Sequence, residues 1–220
     1  MKTYSTILKR GATLMALVCL MGFAPENPPP PDHVEEDWTV VLASPDPLAV
    51  GPQITTVMSP NSDPASPFVT FYLNYRDHPT WQPGGLQVKV YGTPDDPAAD
   101  PPVLGSDSQG AEVCQTTGET ITWTQKLRIS GGSLNYNIIN GESSTWGKFG
   151  QGQGTLGVSA TCSITDLGAY RPEYSASKSG VSWQSNRVTS MTLLAVRYYR
   201  GGNLISTDAA PRVVVAAAVE

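Results

Sequence analysis

The sequence predicts an all-β protein, an antiparallel β-sandwich of immunoglobulin-like type with little helix after residue 24. Apolar residues come in ten short runs rich in Val, Ile, Thr and aromatics, each bounded by Pro, Gly, Asn or Asp. Several runs alternate with period two, so their side chains point to opposite faces of a sheet. The chain of 220 residues has 21 Gly and 19 Pro but only 15% charged residues, which excludes a helical bundle.

The ten runs define the expected strands in chain order. Phe68, Thr70 and Tyr72 point one way while Val69 and Phe71 point the other, and the later runs follow the same rule. The strands are expected at residues 38–43, 53–58, 68–75, 86–91, 120–129, 134–139, 155–164, 187–199, 204–207 and 212–219.

Glycine pairs indicate where these strands turn back on themselves. Gly201-Gly202 joins a long apolar run to a shorter one, and we expect this hairpin, 187–207, to be a central, buried pair of strands. Gly84-Gly85 and Gly131-Gly132 are weaker signals of the same kind. Residues 38–220 therefore form one large or two small sandwiches, with an internal boundary expected near residues 95–110.

The first 37 residues are expected to lie outside the sandwich. Lys2, Lys9 and Arg10 precede fourteen uncharged residues, a pattern typical of a secretory signal peptide, here residues 1–24. Residues 25–37 combine a run of prolines with Glu35, Glu36 and Asp37 and read as an extended linker. We therefore expect a secreted or extracytoplasmic protein with no membrane span after signal removal.

Charge is unevenly distributed along an acidic chain. The net charge is -5; residues 25–120 carry 14 acids and two bases, whereas residues 121–220 carry five acids and nine bases. Nucleic-acid binders normally show a basic stripe, so a nucleic-acid partner is not expected. The opposite signs predict electrostatic complementarity, within one fold or between neighbouring copies, although a difference in loop composition explains them equally well.

The sequence lacks the usual signatures of an enzyme. The chain has two histidines, His33 in the Pro-rich segment and His78 in a predicted turn, so neither a nucleophilic triad nor a zinc site is indicated. Paired carboxylates for glycoside hydrolysis depend on the fold and stay open, with Glu112, Glu119, Glu142 and Glu173 as the candidates. We expect a non-catalytic protein with no cofactor.

Two sets of residues are candidate binding groups. Trp81 and Trp146 lie in predicted loops and are the candidates for ligand stacking. Four aspartates could supply oxygen ligands to calcium, although a solvated acidic loop fits the spacing better: Asp95, Asp96, Asp100 and Asp107.

Cys114 and Cys162 are expected to form a disulfide. They are the two cysteines that remain after removal of a signal peptide containing Cys19, and export favours oxidation. The alternative is two buried free thiols. Together these features predict an exported binding or structural module whose partner is a protein or a glycan; the alternatives are a carbohydrate-binding module that uses loop aromatics and a hydrolase.

Overall fold

The structure is a computed structural model of the chain. The structure describes residues 29–43, 52–74, 85–92, 103–107, 114, 116–145, 147–150 and 156–216. The strands are β1 His33–Leu42, β2 Gln53–Met58, β3 Phe68–Asn74, β4 Gly85–Tyr91, β5 Val103–Asp107, β6 Thr120–Ser130, β7 Ser133–Ser143, β8 Gly147–Phe149, β9 Gly157–Thr161, β10 Gly180–Trp183, β11 Val188–Arg200, β12 Asn203–Asp208 and β13 Arg212–Val215. Helix α1 spans Pro172–Lys178.

The strands form two antiparallel sheets. The larger sheet has the order β12-β11-β1-β6-β7-β8, with β13 also paired to β11 and β9 also paired to β7. The smaller sheet has the order β10-β2-β3-β4-β5. The two sheets pack together, so the predicted all-β sandwich is confirmed, whereas its immunoglobulin-like type is not.

One hydrophobic cluster joins the two sheets. Trp38 of β1 stacks on Trp123 of β6 at 6.3 Å between ring centroids, and Phe71 of the smaller sheet meets Trp123 edge-on at 5.5 Å. Alternate residues of each strand, such as Val34, Trp38 and Val40 in β1, enter this cluster because side chains alternate across a sheet. The two sheets therefore share one core.

All ten predicted segments contain a strand, and the described part of the chain has three further strands that were not predicted. The missed strands are short: β5, β8 and β10. Strand β5 lies inside the predicted boundary at 95–110. Strand β10 follows this boundary in the sequence but pairs with β2, which precedes it. The chain on both sides of this segment thus contributes to the smaller sheet.

The predicted linker is wrong for residues 33–37, which are the first half of β1. This strand is central, paired with β11 on one side and β6 on the other. Its acidic residues have distant partners: Glu36 is completely buried beside Tyr170, and Asp37 binds Arg197. The prediction failed because local composition does not show partners that come from much later in the sequence.

The C-terminal hairpin is only partly buried. The turn at Gly201-Gly202 joins β11 to β12 as predicted, but β12 lies at the end of the sheet order and its residues are mostly exposed. In β11, Val196 is fully buried whereas Leu194 is 41% exposed. Asp37 pairs with Ala195 and Trp38 with Leu193, so Leu194 is the extra residue of a bulge.

The predicted disulfide is also corrected, because Cys114 and Cys162 are both buried free thiols. Cys114 lies near Glu119, just before β6, and burial raises the pKa of its thiol. The backbone N–H of Cys162 donates to the carbonyl of Gly132, just beyond the other end of β6. Strand β6 has 11 residues, so these ends are about 33 Å apart, against a limit of about 7 Å between bridged Cα atoms.

The predicted signal peptide, residues 1–24, lies outside the described residues. Among the residues that are described, no helix has the length and apolar character needed to cross a membrane.

Candidate functional site

The outer face of the larger sheet carries a polar groove on β6 and β7. Its volume is about 510 Å³, and all its lining side chains are polar: Lys126, Arg128, Ser130, Ser133, Asn135 and Asn137. The register places Lys126 opposite Asn137 and Arg128 opposite Asn135. The residues between them, Leu127 and Tyr136, point inward and are fully buried. Period-two alternation thus places every second residue of the hairpin half nearest the turn in the groove.

The turn between β6 and β7 sets this register. Gly131 and Gly132 have φ values of +57° and +76°, a left-handed conformation that glycine adopts without steric cost. Two residues with positive φ make the tight turn that matches the twist of paired strands. Ser130 and Ser133 are therefore opposite each other at the end of the groove.

Strand β9 orients the two asparagines. The Ser159 hydroxyl donates to Oδ1 of Asn135 at 3.0 Å. At Gly157, a Cβ would lie only 2.3 Å from Oδ1 of Asn137, so this amide packs directly on the glycine backbone. Both amide oxygens are thus directed at β9. The NH₂ group of Asn135 also donates to the backbone carbonyl of Ser133 at 3.5 Å, which leaves one of its two N–H bonds for the groove.

Strands β1 and β11 place an ion-pair cluster beside the groove. Oε1 of Glu35 lies 3.1 Å from Nε2 of His33 and 3.9 Å from Nζ of Lys126. Its Oε2 accepts hydrogen bonds from the Tyr199 hydroxyl at 3.0 Å and from Nε of Arg197 at 3.2 Å. The close contact with His33 is the largest effect, and with Tyr199 and Arg197 it lowers the pKa of Glu35 to about 2. Glu35 is therefore an anion and not a proton donor at neutral pH.

Arg197 also neutralises the second acid of this cluster. Its Nη1 binds Oδ2 of Asp37, and its Nη2 donates to Oδ1 of Asp37 at 2.8 Å. The Thr124 hydroxyl donates to the same Oδ1 at 2.7 Å. Within the described residues, Arg128 makes no ion pair and no acid lines the groove. The positive charge of Arg128 is thus available at the groove surface, and Lys126 meets an acid only through its 3.9 Å contact with Glu35.

The interior of the sandwich contains a second polar cluster around Glu36. Oε2 of Glu36 accepts hydrogen bonds from Nε1 of Trp38 at 2.9 Å and from Nε2 of Gln125, and Oε1 accepts one from Tyr170. Oε1 of Gln125 accepts the hydroxyls of Thr56 and Tyr136, each at 2.8 Å. Thr56 belongs to the smaller sheet, so this buried cluster joins both sheets and is structural.

A smaller groove of about 310 Å³ lies where helix α1 meets β10 and β2. It is lined by Gln53, Thr55, Tyr72, Lys178 and the 179–182 segment. The Ser179 hydroxyl bridges α1 to β2, donating to the carbonyl of Ser175 at 2.8 Å and accepting from the N–H of Val57 at 3.0 Å. These contacts hold the helix against the sheet.

The predicted binding residues are largely outside the described structure. Trp81, Trp146, Asp95, Asp96 and Asp100 all fall there. Asp107 ends β5, where its backbone pairs with Leu86. In the parts of the chain that are described, no three His, Cys, Asp or Glu residues lie close enough together to hold a metal ion.

The carboxylates considered for hydrolysis are not brought together in either groove. Glu119 is fully buried, and its Oε1 accepts the Ser143 hydroxyl at 2.7 Å. Glu173 of α1 binds Arg212 at 2.7 Å. Glu142 is exposed in β7, opposite Lys148, and Glu112 lies outside the described residues.

The groove was not predicted, although its signal is present in the sequence. Lys126, Arg128 and Ser130 alternate with apolar residues, as do Asn135 and Asn137 across the glycine turn. Folding this pattern at Gly131-Gly132 places all of them on one face. No protein-family model matches the sequence, and no curated protein and no solved structure gives a significant match.

Proposed function

We propose that this chain is an exported, non-catalytic binding module that holds its ligand in the groove on β6 and β7. The observation that carries the proposal is the lining: six polar side chains on two paired strands, with no acid and no apolar side chain among them. A rigid sheet holds such groups at fixed spacing, which lowers the ordering cost of binding. Export rests on the signal pattern at residues 1–24.

The chemistry of the described acids supports a non-catalytic role. General acid catalysis needs a carboxyl group that keeps its proton near neutral pH and faces the substrate. Glu35 and Asp37 are ion-paired with Arg197, while Glu36 and Glu119 are buried away from both grooves. The alternative of glycan binding by Trp81 and Trp146 rests on residues outside the described structure.

The proposal is tested by presenting the full chain to immobilised neutral, carboxylated and sulfated polysaccharides. We expect binding to one class without release of new reducing ends. Asn135→Leu should abolish that binding, because it replaces a groove amide by an apolar side chain. Thr192→Leu is the matched control, since Thr192 lies opposite Thr39 in the same sheet and outside the groove. Equal loss in both variants, no binding to any class, or hydrolysis of the polysaccharide would overturn the proposal.

A further inference from the structure

We infer that the groove takes an anionic polysaccharide, a sugar chain that bears carboxylate or sulfate groups. This inference rests on the proposed function and specifies its ligand. It depends on the hydrogen-bonding capacity and the charge of the groove lining.

The lining is rich in donors. Lys126 and Arg128 donate only. The amide oxygens of Asn135 and Asn137 are directed at β9, so both amides offer N–H donors, although one N–H of Asn135 is directed at the Ser133 carbonyl. Only the Ser130 and Ser133 hydroxyls act as both donor and acceptor. A ligand that complements this surface must be rich in acceptor oxygens, as carboxylate and sulfate groups are.

The two cations are placed to meet two separate anionic groups. Lys126 and Arg128 are two residues apart on one face of β6, which separates their Cα atoms by about 7 Å. The guanidinium of Arg128 can hold a carboxylate or sulfate through two parallel hydrogen bonds, while Lys126 acts as a point charge. Two anchoring points in line along a strand suit a chain with repeated charges.

The neighbouring acids do not cancel this charge. Glu35 has three closer partners, His33, Tyr199 and Arg197, whereas its contact with Lys126 is 3.9 Å long. The groove lining therefore carries positive charge even though the chain as a whole carries a net charge of -5.

Other polymers fit the lining less well. Neutral sugars and single-stranded nucleic acids are commonly held by stacking on aromatic rings, and none of the six lining residues is aromatic. A nucleic acid also requires a longer basic stripe than two cations in an acidic chain provide. Anionic polysaccharides need only spaced cations and amides.

The test is calorimetric titration of the full chain with heparin, polygalacturonate, neutral dextran and oligo-dT at fixed salt. We expect heparin or polygalacturonate to bind, and the double variant Lys126→Gln/Arg128→Gln to raise Kd at least tenfold. Lys148→Gln is the matched control because Lys148 is an exposed cation of β8 in the same sheet, and it should change Kd less than twofold. If the double variant does not fold, Arg128→Gln alone is compared with Lys148→Gln on the same criterion.

A second variant tests geometry without changing charge. Gly157→Ala would push its Cβ against Oδ1 of Asn137 and displace the amide, so Kd should rise several-fold. The melting temperature, measured in parallel, shows whether the variant is folded. Equal weakening in the lysine control, or oligo-dT binding as tightly as the acidic polysaccharides, would overturn the inference. Groove-dependent binding of dextran alone would overturn it while leaving the proposed function intact, whereas no groove-dependent ligand would reject both.

Discussion

Tyr170 donates a hydrogen bond from its hydroxyl to Oε1 of Glu36, across 134 residues of sequence. Trp38 and Gln125 donate to the other oxygen, so the carboxyl group is fully hydrogen-bonded in the centre of the sandwich. Burial is the largest effect on this group and raises the pKa of Glu36, while the hydrogen bonds oppose that shift. Glu36 thus links β1 to β6 and to the segment before α1.

Replacing Glu36 should distinguish hydrogen bonding from charge. Glu36→Ala would leave three buried donors unpaired and should destabilise the fold by about 3 kcal/mol or more. Glu36→Gln keeps most of these contacts and should stay within about 1 kcal/mol of the natural chain. Urea unfolding at neutral pH measures both. Equal losses in the two variants would show that the hydrogen bonds of the side chain are not the stabilising feature.

The difference in stability between the natural chain and Glu36→Gln should also depend on pH. A folded-state pKa raised above the unfolded value of 4.5 stabilises the fold at pH below 4.5, and this contribution is lost as pH rises through the folded pKa. The free energy of unfolding of the natural chain should therefore fall relative to Glu36→Gln as pH rises above 4.5. A difference that is constant with pH would contradict the assignment.

Glu35 should confer acid sensitivity of the opposite sign. Its pKa is lowered from 4.5 to about 2, so its contribution is present above pH 4.5 and is lost as pH falls towards 2. Glu35→Gln should flatten the fall in unfolding free energy within that window. Glu142→Gln removes an exposed carboxyl from β7 and is the matched control for the loss of one negative charge from the same sheet. An equal flattening in both variants would contradict the assignment to Glu35.

Neighbouring positions of β11 should differ sharply in their tolerance of charge. Val196→Asp places an unpaired charge in the core, which costs several kcal/mol against a total stability of roughly 5 to 15 kcal/mol, and should unfold the domain. Leu194→Asp should melt cooperatively close to the natural chain because Leu194 is the exposed residue of a bulge. Circular dichroism melts compare the two. Unfolding of both would place Leu194 in the core.

Alkylation should find two unpaired thiols. Unreduced protein in denaturant is expected to incorporate iodoacetamide at both Cys114 and Cys162, because they lie near opposite ends of β6. Under native conditions both should react slowly, since both are buried and the raised pKa of Cys114 further disfavours its thiolate. Peptide mapping assigns the labels. A pair of peptides linked through these two residues would show that the disulfide forms and would contradict the free thiols.

Local sequence determined the strands and several of the turns. Alternation with period two and punctuation by glycine and proline are short-range signals, so segments such as Gln53–Met58 were predicted with their observed limits. The glycine pairs at 131–132 and 201–202 determined two hairpins because positive φ is a property of the residue itself. Strand β10 and helix α1 gave weaker signals, although Pro172 and Glu173 at the helix start are typical of one.

Only the tertiary structure decided where the charged and sulfur-containing residues lie. By composition, the acidic run at Glu35, Glu36 and Asp37 resembles a solvated linker. Its partners Arg197 and Tyr170 lie more than 130 residues away. The cost of burying an acid depends on such partners and not on its neighbours in sequence. Pairing of the cysteines likewise depends on the path of β6, which holds them apart. The groove required both kinds of information. Alternation placed Lys126 and Arg128 on one face, whereas the packing of β9 directed the amides and Arg197 of β11 neutralised the nearby acids.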